Sequence, residues 1–105
     1  MNRAYRIVLT TTNTQDNVNA IVDSVLAKKL AACIQVLPIE SHYFWQGRVN
    51  NDYEYLLLLK AKAADYADLE AAIRSVHAYE VPEVVSIKVE NGFSKYMDWI
   101  KAVTR

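Results

Sequence analysis

The stretch ESHYFWQGRVNNDYEYLLLLKAKA, residues 40–63, decides the fold. Two extended runs flank its turn-rich segment QGRVNND at 46–52, and runs arranged in this way predict an antiparallel hairpin. The leucines at 56–59 are apolar in succession, which is typical of a strand covered on both faces. We therefore predict a long hairpin whose second strand crosses the core.

The segments before the hairpin predict a strand, a helix and another strand. YRIVLTTT at 5–12 is short and rich in β-branched residues, and the residues after Asn13 carry apolar side chains at helical spacing. ACIQVL at 32–37 is predicted as the second strand. Pro38 should interrupt it, because proline has no N–H to donate to a sheet.

The segments after the hairpin repeat this alternation. Asp65 is the expected N-cap of a second helix, and Pro82 should help to end that helix. EVVSIKVE at 83–90 predicts a half-buried strand with Val85, Ile87 and Val89 facing inward. Asn91–Gly92 should then turn the chain into a last helix over 94–103.

The order of elements is therefore β-α-β-β-α-β plus a terminal helix. It predicts an α+β ferredoxin-like sandwich with right-handed crossovers, in one domain over residues 1–105. The hairpin is long for so small a body and rich in aromatic rings: Tyr43, Phe44, Trp45, Tyr53 and Tyr55. An apolar edge strand exposed to water favours pairing with another chain, so we expect self-association. The alternative is that these rings fold back on their own sheet.

Composition excludes several classes of function. The 12 basic and 12 acidic residues cancel and form no basic stripe, so we expect no nucleic-acid partner. No apolar run approaches the roughly 20 residues of a membrane helix, and the start of the chain lacks the apolar core of a secretory signal. A single cysteine agrees with a reducing compartment, and we expect a cytoplasmic protein. Glycine-rich phosphate loops, G-x-S-x-G elbows and Cys-x-x-Cys pairs are missing from the sequence, which argues against the common hydrolases and dehydrogenases.

Three residues carry groups that a functional site could use. Cys33 offers a soft sulfur ligand, although a small buried core residue is the simpler interpretation. His77 and Glu80 are three residues apart, so a persisting helical turn would bring them to one face. A histidine at the end of a helix also suits the helix dipole, which leaves a purely structural role open.

Three further residues suggest a cleft. Lys60 follows the buried leucines and either extends to water or holds an anion. Trp45 and Tyr79 either line a pocket or supply buried area.

Taken together, the chain resembles the CutA family, the divalent-cation tolerance proteins. The resemblance rests on LAACIQVLP (30–38), SHYFWQGRV (41–49), LLLLKAK (56–62), HAYEVPEVVSI (77–87) and YMDWI (96–100). The chain departs from the family pattern at Ala78, where proline is usual, and at Gln35, where asparagine is common.

The resemblance implies a homotrimer whose long hairpins pair between neighbouring subunits. It implies weak binding of copper or another divalent cation by Cys33, His77 and Glu80, without an organic cofactor and without catalysis. Trp45, Lys60 and Tyr79 would then line clefts between subunits. Similar trimeric clefts occur in PII-like signalling proteins, so binding of a small anionic metabolite or nucleotide is the alternative function. A plain assembly or partner-docking module is the third possibility.

Overall fold

The computed structural model describes residues 4–105, which form four strands and three helices. The strands are β1 (Tyr5–Thr12), β2 (Cys33–Trp45), β3 (Arg48–Lys62) and β4 (Val84–Lys88). The helices are α1 (Gln15–Ala27), α2 (Tyr66–Val76) and α3 (Ser94–Val103). A short 3₁₀ turn, Ala63–Asp65, leads from β3 into α2.

The strands form one antiparallel sheet in the order β2-β3-β1-β4. This order places the first and third strands in the centre, and it confirms the predicted ferredoxin-like α+β fold with its additional C-terminal helix. The sheet edges are β2 and β4.

The hairpin of β2 and β3 is longer and more regular than the sequence predicts. Its register runs without a bulge from Cys33 opposite Lys60 to Trp45 opposite Arg48. Only Gln46 and Gly47 form the turn, with φ angles of 52° and 74°, so the turn takes up only the start of the turn-rich segment 46–52 and the rest of that segment belongs to β3. Positive φ at both central residues defines a type I′ turn, whose twist matches that of the flanking strands and lets them continue to the tip.

Pro38 does not interrupt the second strand, contrary to the prediction. It lies within β2, opposite Tyr55 of β3. Because β2 is an edge strand, its outward side pairs with no strand among residues 4–105, and a residue without an N–H is tolerated there.

One face of the sheet packs against α1 and α2 and contains the main core. Val8 of β1 and Leu57 and Leu59 of β3 point to this face and are fully buried. The helices contribute apolar side chains on one stripe each, as their spacing predicts: Val18, Ile21, Val25, Leu69 and Ile73. Thr10 and Thr12 of β1 share this face and are also fully buried.

The opposite face of the sheet is only partly covered. The helix α3 packs over one end of it, where Met97 and Ile100 bury Tyr5. Leu9, Leu56 and Leu58 are only half-buried on the rest of this face. The leucines at 56–59 were expected to be covered on both faces of the strand. Within the chain only Leu57 and Leu59 are fully covered, because α1 and α2 pack on their face and the face of Leu56 and Leu58 stays partly open.

Two expectations for the later elements need correction. Val85 and Ile87 were expected to be buried, but they are 47% and 53% exposed, because they point to the open face and Val84 packs on the core instead. Asp65 stands at the N-cap position of α2, yet its side chain caps nothing. Its carboxylate pairs with Arg105 at 3.3 Å instead.

Candidate functional site

The site begins where α2 ends, and Asn17 of α1 determines that end. The Asn17 Nδ2 donates to the carbonyl of Val76 at 2.8 Å, and its Oδ1 accepts from the N–H of Ala78 at 3.2 Å. His77 already has an extended backbone, with φ −71° and ψ 137°. The helical turn expected to place His77 and Glu80 on one face therefore does not exist, because a side chain from another helix terminates α2 first.

His77 is held by backbone groups at both ring nitrogens. Nε2 lies 2.8 Å from the carbonyl oxygen of Thr11, and Nδ1 accepts the N–H of Tyr79 at 3.0 Å. A carbonyl only accepts and an N–H only donates, so the ring is neutral with its proton on Nε2. Burial lowers the pKa of His77, and it outweighs the opposing effects of the Thr11 carbonyl and the Glu54 charge. His77 therefore acts first as a connector between β1 and the segment after α2.

Tyr79 and Glu54 form the centre of the site. The Tyr79 hydroxyl donates to Oε2 of Glu54 at 2.6 Å, and Glu54 is only 9% exposed. The pKa of the Tyr79 hydroxyl is raised, first by burial and then by its hydrogen bond to Glu54 and the charge of that carboxylate. The hydroxyl therefore stays protonated and holds the carboxylate oxygen in place.

A cleft opens above this pair, between the hairpin and the segment 77–83, and we call it the Glu54 cleft. It encloses about 520 Å³. Its walls combine aromatic rings and carboxylates, and its lining residues are Thr11, Ser41, His42, Tyr43, Trp45, Glu54, Tyr79, Glu80, Val81 and Glu83. Two of the residues expected to line a cleft, Trp45 and Tyr79, therefore do so within one chain.

The remaining candidates lie at the other end of the sheet. Cys33 pairs with Lys60 across β2 and β3. The Lys60 ammonium donates to Oε1 of Gln35 at 2.8 Å and lies 5.9 Å from the centre of the Tyr96 ring. Lys60 and Glu54 are six positions apart along β3, which is about 20 Å at strand spacing. Lys60 lines a second cavity of about 210 Å³, together with Arg6 and Tyr96.

The three metal candidates do not converge within one chain. Cys33 is at the α3 end of the sheet, whereas Glu80 lines the Glu54 cleft at the opposite end. Among residues 4–105, no three Cys, His, Asp or Glu side chains are grouped closely enough to hold a metal ion. A site made of Cys33, His77 and Glu80 would need ligands from more than one subunit.

Sequence reasoning missed two residues that shape this site, Glu54 and Asn17. A signal for Glu54 was present in the alternation of β3, where Glu54, Leu56, Leu58 and Lys60 share one face. An acidic residue on the same face of a strand as several leucines is a candidate for a buried carboxyl group. Asn17 carries no such signal, because its partners at 76 and 78 are about sixty positions away in the chain.

Comparison with known proteins identifies the family of this chain. The family model described as "CutA1 divalent ion tolerance protein" matches residues 6–103. The chain belongs to the CutA1 family. The resemblance proposed from its sequence motifs is thereby confirmed.

Curated CutA relatives come from distant organisms. The chloroplastic protein CutA 1 of Oryza sativa is 35% identical over 100 residues, covering 94% of this chain and 56% of the relative. Human protein CutA is 40% identical over 85 residues, covering 80% of this chain and 48% of the relative. The chain thus spans about half the length of these relatives, but 96% of the Thermus thermophilus divalent-cation tolerance protein CutA, with 33% identity.

Solved CutA1 structures share the fold closely. The Oryza sativa CutA1 structure superposes with a TM-score of 0.93 at 34% identity, covering 97% of this chain and 94% of that one. The Thermus thermophilus structure gives 0.92 at 32% identity, covering 96% and 99%. Within the described part of the chain, none of the helices is long and apolar enough to cross a membrane.

Proposed function

We propose that this CutA1-family protein is a non-catalytic, homotrimeric protein that binds divalent cations weakly and serves in tolerance to them. The observation that carries the proposal is the match of the family model to residues 6–103. Relatives from Thermus and Archaeoglobus bear the name divalent-cation tolerance protein. We place the protein in the cytoplasm, which its single cysteine favours.

Support for the trimer comes from the open face of the sheet. Leu37, Val85 and Ile87 point to this face and are 39%, 47% and 53% exposed. At the tip of the hairpin, Phe44 is 81% and Tyr53 80% exposed. Apolar surface on this scale, next to an edge strand, is characteristic of an interface. Three copies would cover each other's open faces and pair their hairpins.

We propose that the metal is held between subunits. Cys33 of one subunit would approach His77 and Glu80 of its neighbour, and Trp45, Lys60 and Tyr79 would line the shared clefts. A thiolate, an imidazole and a carboxylate suit copper or zinc. His77 would have to exchange one of its backbone hydrogen bonds for the metal. That exchange costs binding energy and agrees with weak affinity.

Calorimetry with Cu(II), Cu(I) and Zn(II) tests this proposal. The wild type should bind with a measurable isotherm, and Cys33→Ser, His77→Ala and Glu80→Gln should each weaken it. Asp23→Asn removes an exposed carboxylate from α1 and is the matched control. Identical isotherms for the wild type and all three ligand variants would contradict the metal site.

A second candidate function is binding of a small anionic metabolite or nucleotide, as in PII-like proteins. The observation that favours it is the second cavity, which the cationic residue Lys60 lines beside the ring of Tyr96. A thermal-shift screen of nucleotides against metal salts separates the two functions, because a ligand that binds only the native state raises its melting temperature. Stabilisation by a nucleotide that Lys60→Met abolishes would favour the anion function.

A further inference from the structure

The carboxyl group of Glu54 is mostly buried and has no ion-pair partner among residues 4–105. Its side chain has one hydrogen-bond partner in this part of the chain, the hydroxyl of Tyr79 at Oε2. No described lysine or arginine forms an ion pair with it; the described ion pairs involve Glu40, Asp65 and Asp68. A mostly buried carboxylate with a single hydrogen-bond partner has room to accept further donors on the side that faces the cleft. A cation in the cleft would complete its surroundings.

The surroundings of Glu54 attract positive charge from several directions. The rings of Tyr43, Trp45 and Tyr79 line the same cleft, and Glu80 and Glu83 add two more carboxylates. Lysine and arginine are missing from the lining residues. The face of an aromatic ring attracts a cation, most strongly for tryptophan and for cations that give up their water easily.

The volume of the cleft and the side chains that could ligate a cation there distinguish a metal ion from an organic cation. A metal ion needs several ligand atoms at about 2.0–2.6 Å, and residues 4–105 provide no group of three suitable side chains. The cleft encloses about 520 Å³, which is within the range of about 300–1,000 Å³ typical of small-molecule sites. A cleft of this size with aromatic walls and one buried carboxylate suits an organic cation, in which alkyl groups surround the charged nitrogen.

We propose that the Glu54 cleft binds a small organic ammonium ion. Glu54 is the counter-ion, Tyr79 orients its carboxylate, and the ring of Trp45 packs against the alkyl groups of the cation. The ammonium belongs to a free small molecule, since a cleft of about 520 Å³ has room for a whole ligand of that kind; the titrations below distinguish it from a lysine of a neighbouring copy. This inference goes beyond metal binding and does not rest on it.

Fluorescence of Trp45 provides a direct test. The chain has two tryptophans, Trp45 and Trp99, so Trp99→Phe leaves the ring in the cleft as the only reporter. Choline and butylammonium are titrated into this protein in its solution assembly at constant ionic strength, with 3,3-dimethyl-1-butanol as the neutral analogue of choline. We expect a saturable change with at least one of the two cations and none with the alcohol.

Variants of the cleft complete the test. Glu54→Gln keeps the size of the side chain and removes its charge, so it should weaken binding of the cation about tenfold or more. Asp23→Asn, on the exposed side of α1, should leave binding unchanged. Trp45→Leu, measured by calorimetry, should weaken binding as well and provides a second test if Glu54→Gln does not fold.

Three results would overturn the inference. The first is that neither cation produces a saturable change, as expected if a neighbouring copy's lysine fills the cleft. The second is that the neutral alcohol binds as well as choline. The third is that Zn(II) alone saturates the Trp45 signal in a Glu54-dependent manner, since the cleft would then be an inorganic site. The metal proposal is tested separately through Cys33 and His77.

Discussion

The imidazole Nε2 of His77 lies 2.8 Å from the carbonyl oxygen of Thr11 and so ties the end of α2 to the end of β1. These residues are 66 positions apart in the chain. The other ring nitrogen holds the backbone N–H of Tyr79, and Tyr79 in turn holds Glu54. The neutral ring of His77 thus fixes the segment that carries Tyr79 relative to the strand β1, and Tyr79 in turn contacts Glu54 in the cleft.

Stability should depend on pH through His77. Burial lowers the pKa of its imidazole, so the unfolded chain binds the proton more tightly than the folded one. The contribution of neutral His77 to the free energy of unfolding is complete above the pKa of an unfolded histidine, about 6.5. It is lost as the pH falls from that value through the lower pKa of the folded state. Urea unfolding of the wild type and His77→Asn should show a smaller loss of stability on acidification for the variant.

The control for this prediction is His42→Gln, which removes the other histidine of the chain. It leaves His77 and both its backbone partners in place, so the part of the pH dependence that His77 causes should remain. All proteins must be compared at one concentration, because assembly also contributes to stability. Parallel pH curves for the wild type and His77→Asn would refute the assignment.

Two buried threonines on the same face of β1 should respond in opposite directions to replacement by valine. Thr10 Oγ1 is buried and has no hydrogen-bond partner in the described part of the chain, so Thr10→Val should raise the free energy of unfolding by about 1 kcal/mol. Thr12 Oγ1 donates to Oδ1 of Asn17 at 2.6 Å, so Thr12→Val should lower it by about 1 kcal/mol. Denaturant unfolding of both variants measures the difference, and equal shifts would show that hydrogen bonding is not its cause.

The hairpin turn offers a stabilising substitution. Gln46 has a φ of 52°, a conformation that costs most residues but suits asparagine. Gln46→Asn should therefore stabilise the protein by up to about 1 kcal/mol. Gly47→Ala should destabilise it by about 1 kcal/mol or more, because its φ is 74°. A lower melting temperature for Gln46→Asn than for the wild type would argue against a type I′ turn.

Self-association should depend on the open face of the sheet. Ile87 is 53% exposed in one chain, so Ile87→Asp should spare the fold of a subunit while opposing its burial between subunits. Leu26→Asp is the matched control, because Leu26 is 43% exposed on α1, away from this face. Sedimentation should give a trimer for the wild type and Leu26→Asp, and smaller species for Ile87→Asp. A stable lone wild-type subunit at low concentration would contradict the trimer.

The order of secondary structure was predictable because it depends on local periodicity. The helical spacing of Val18, Ile21 and Val25 and the extended runs around the hairpin identified the elements and their sequence, and hence the ferredoxin-like topology. The errors lie where local signals are ambiguous. Pro38 is compatible with a strand only at a sheet edge, and whether a strand lies at the edge depends on the order of all four.

The burial of β4 and the geometry of the site required the tertiary structure. Alternation along β4 correctly predicted that Val85 and Ile87 lie on one face of the strand. Which face is buried depends on the packing of α1 and α2, and these helices cover the other one. The spacing of His77 and Glu80 suggested a shared helical face, and it was Asn17 of another helix that ended α2 before that face could form.

The amino-acid sequence by itself determined the elements, their order and the family, since these follow from patterns within short stretches of chain. Only the tertiary structure decided that Glu54, Tyr79 and Trp45 surround one cleft while Cys33 and Lys60 lie at the far end of the sheet. The physical reason is that strand register and helix termination are set by contacts between residues tens of positions apart, and a local pattern carries no record of those partners.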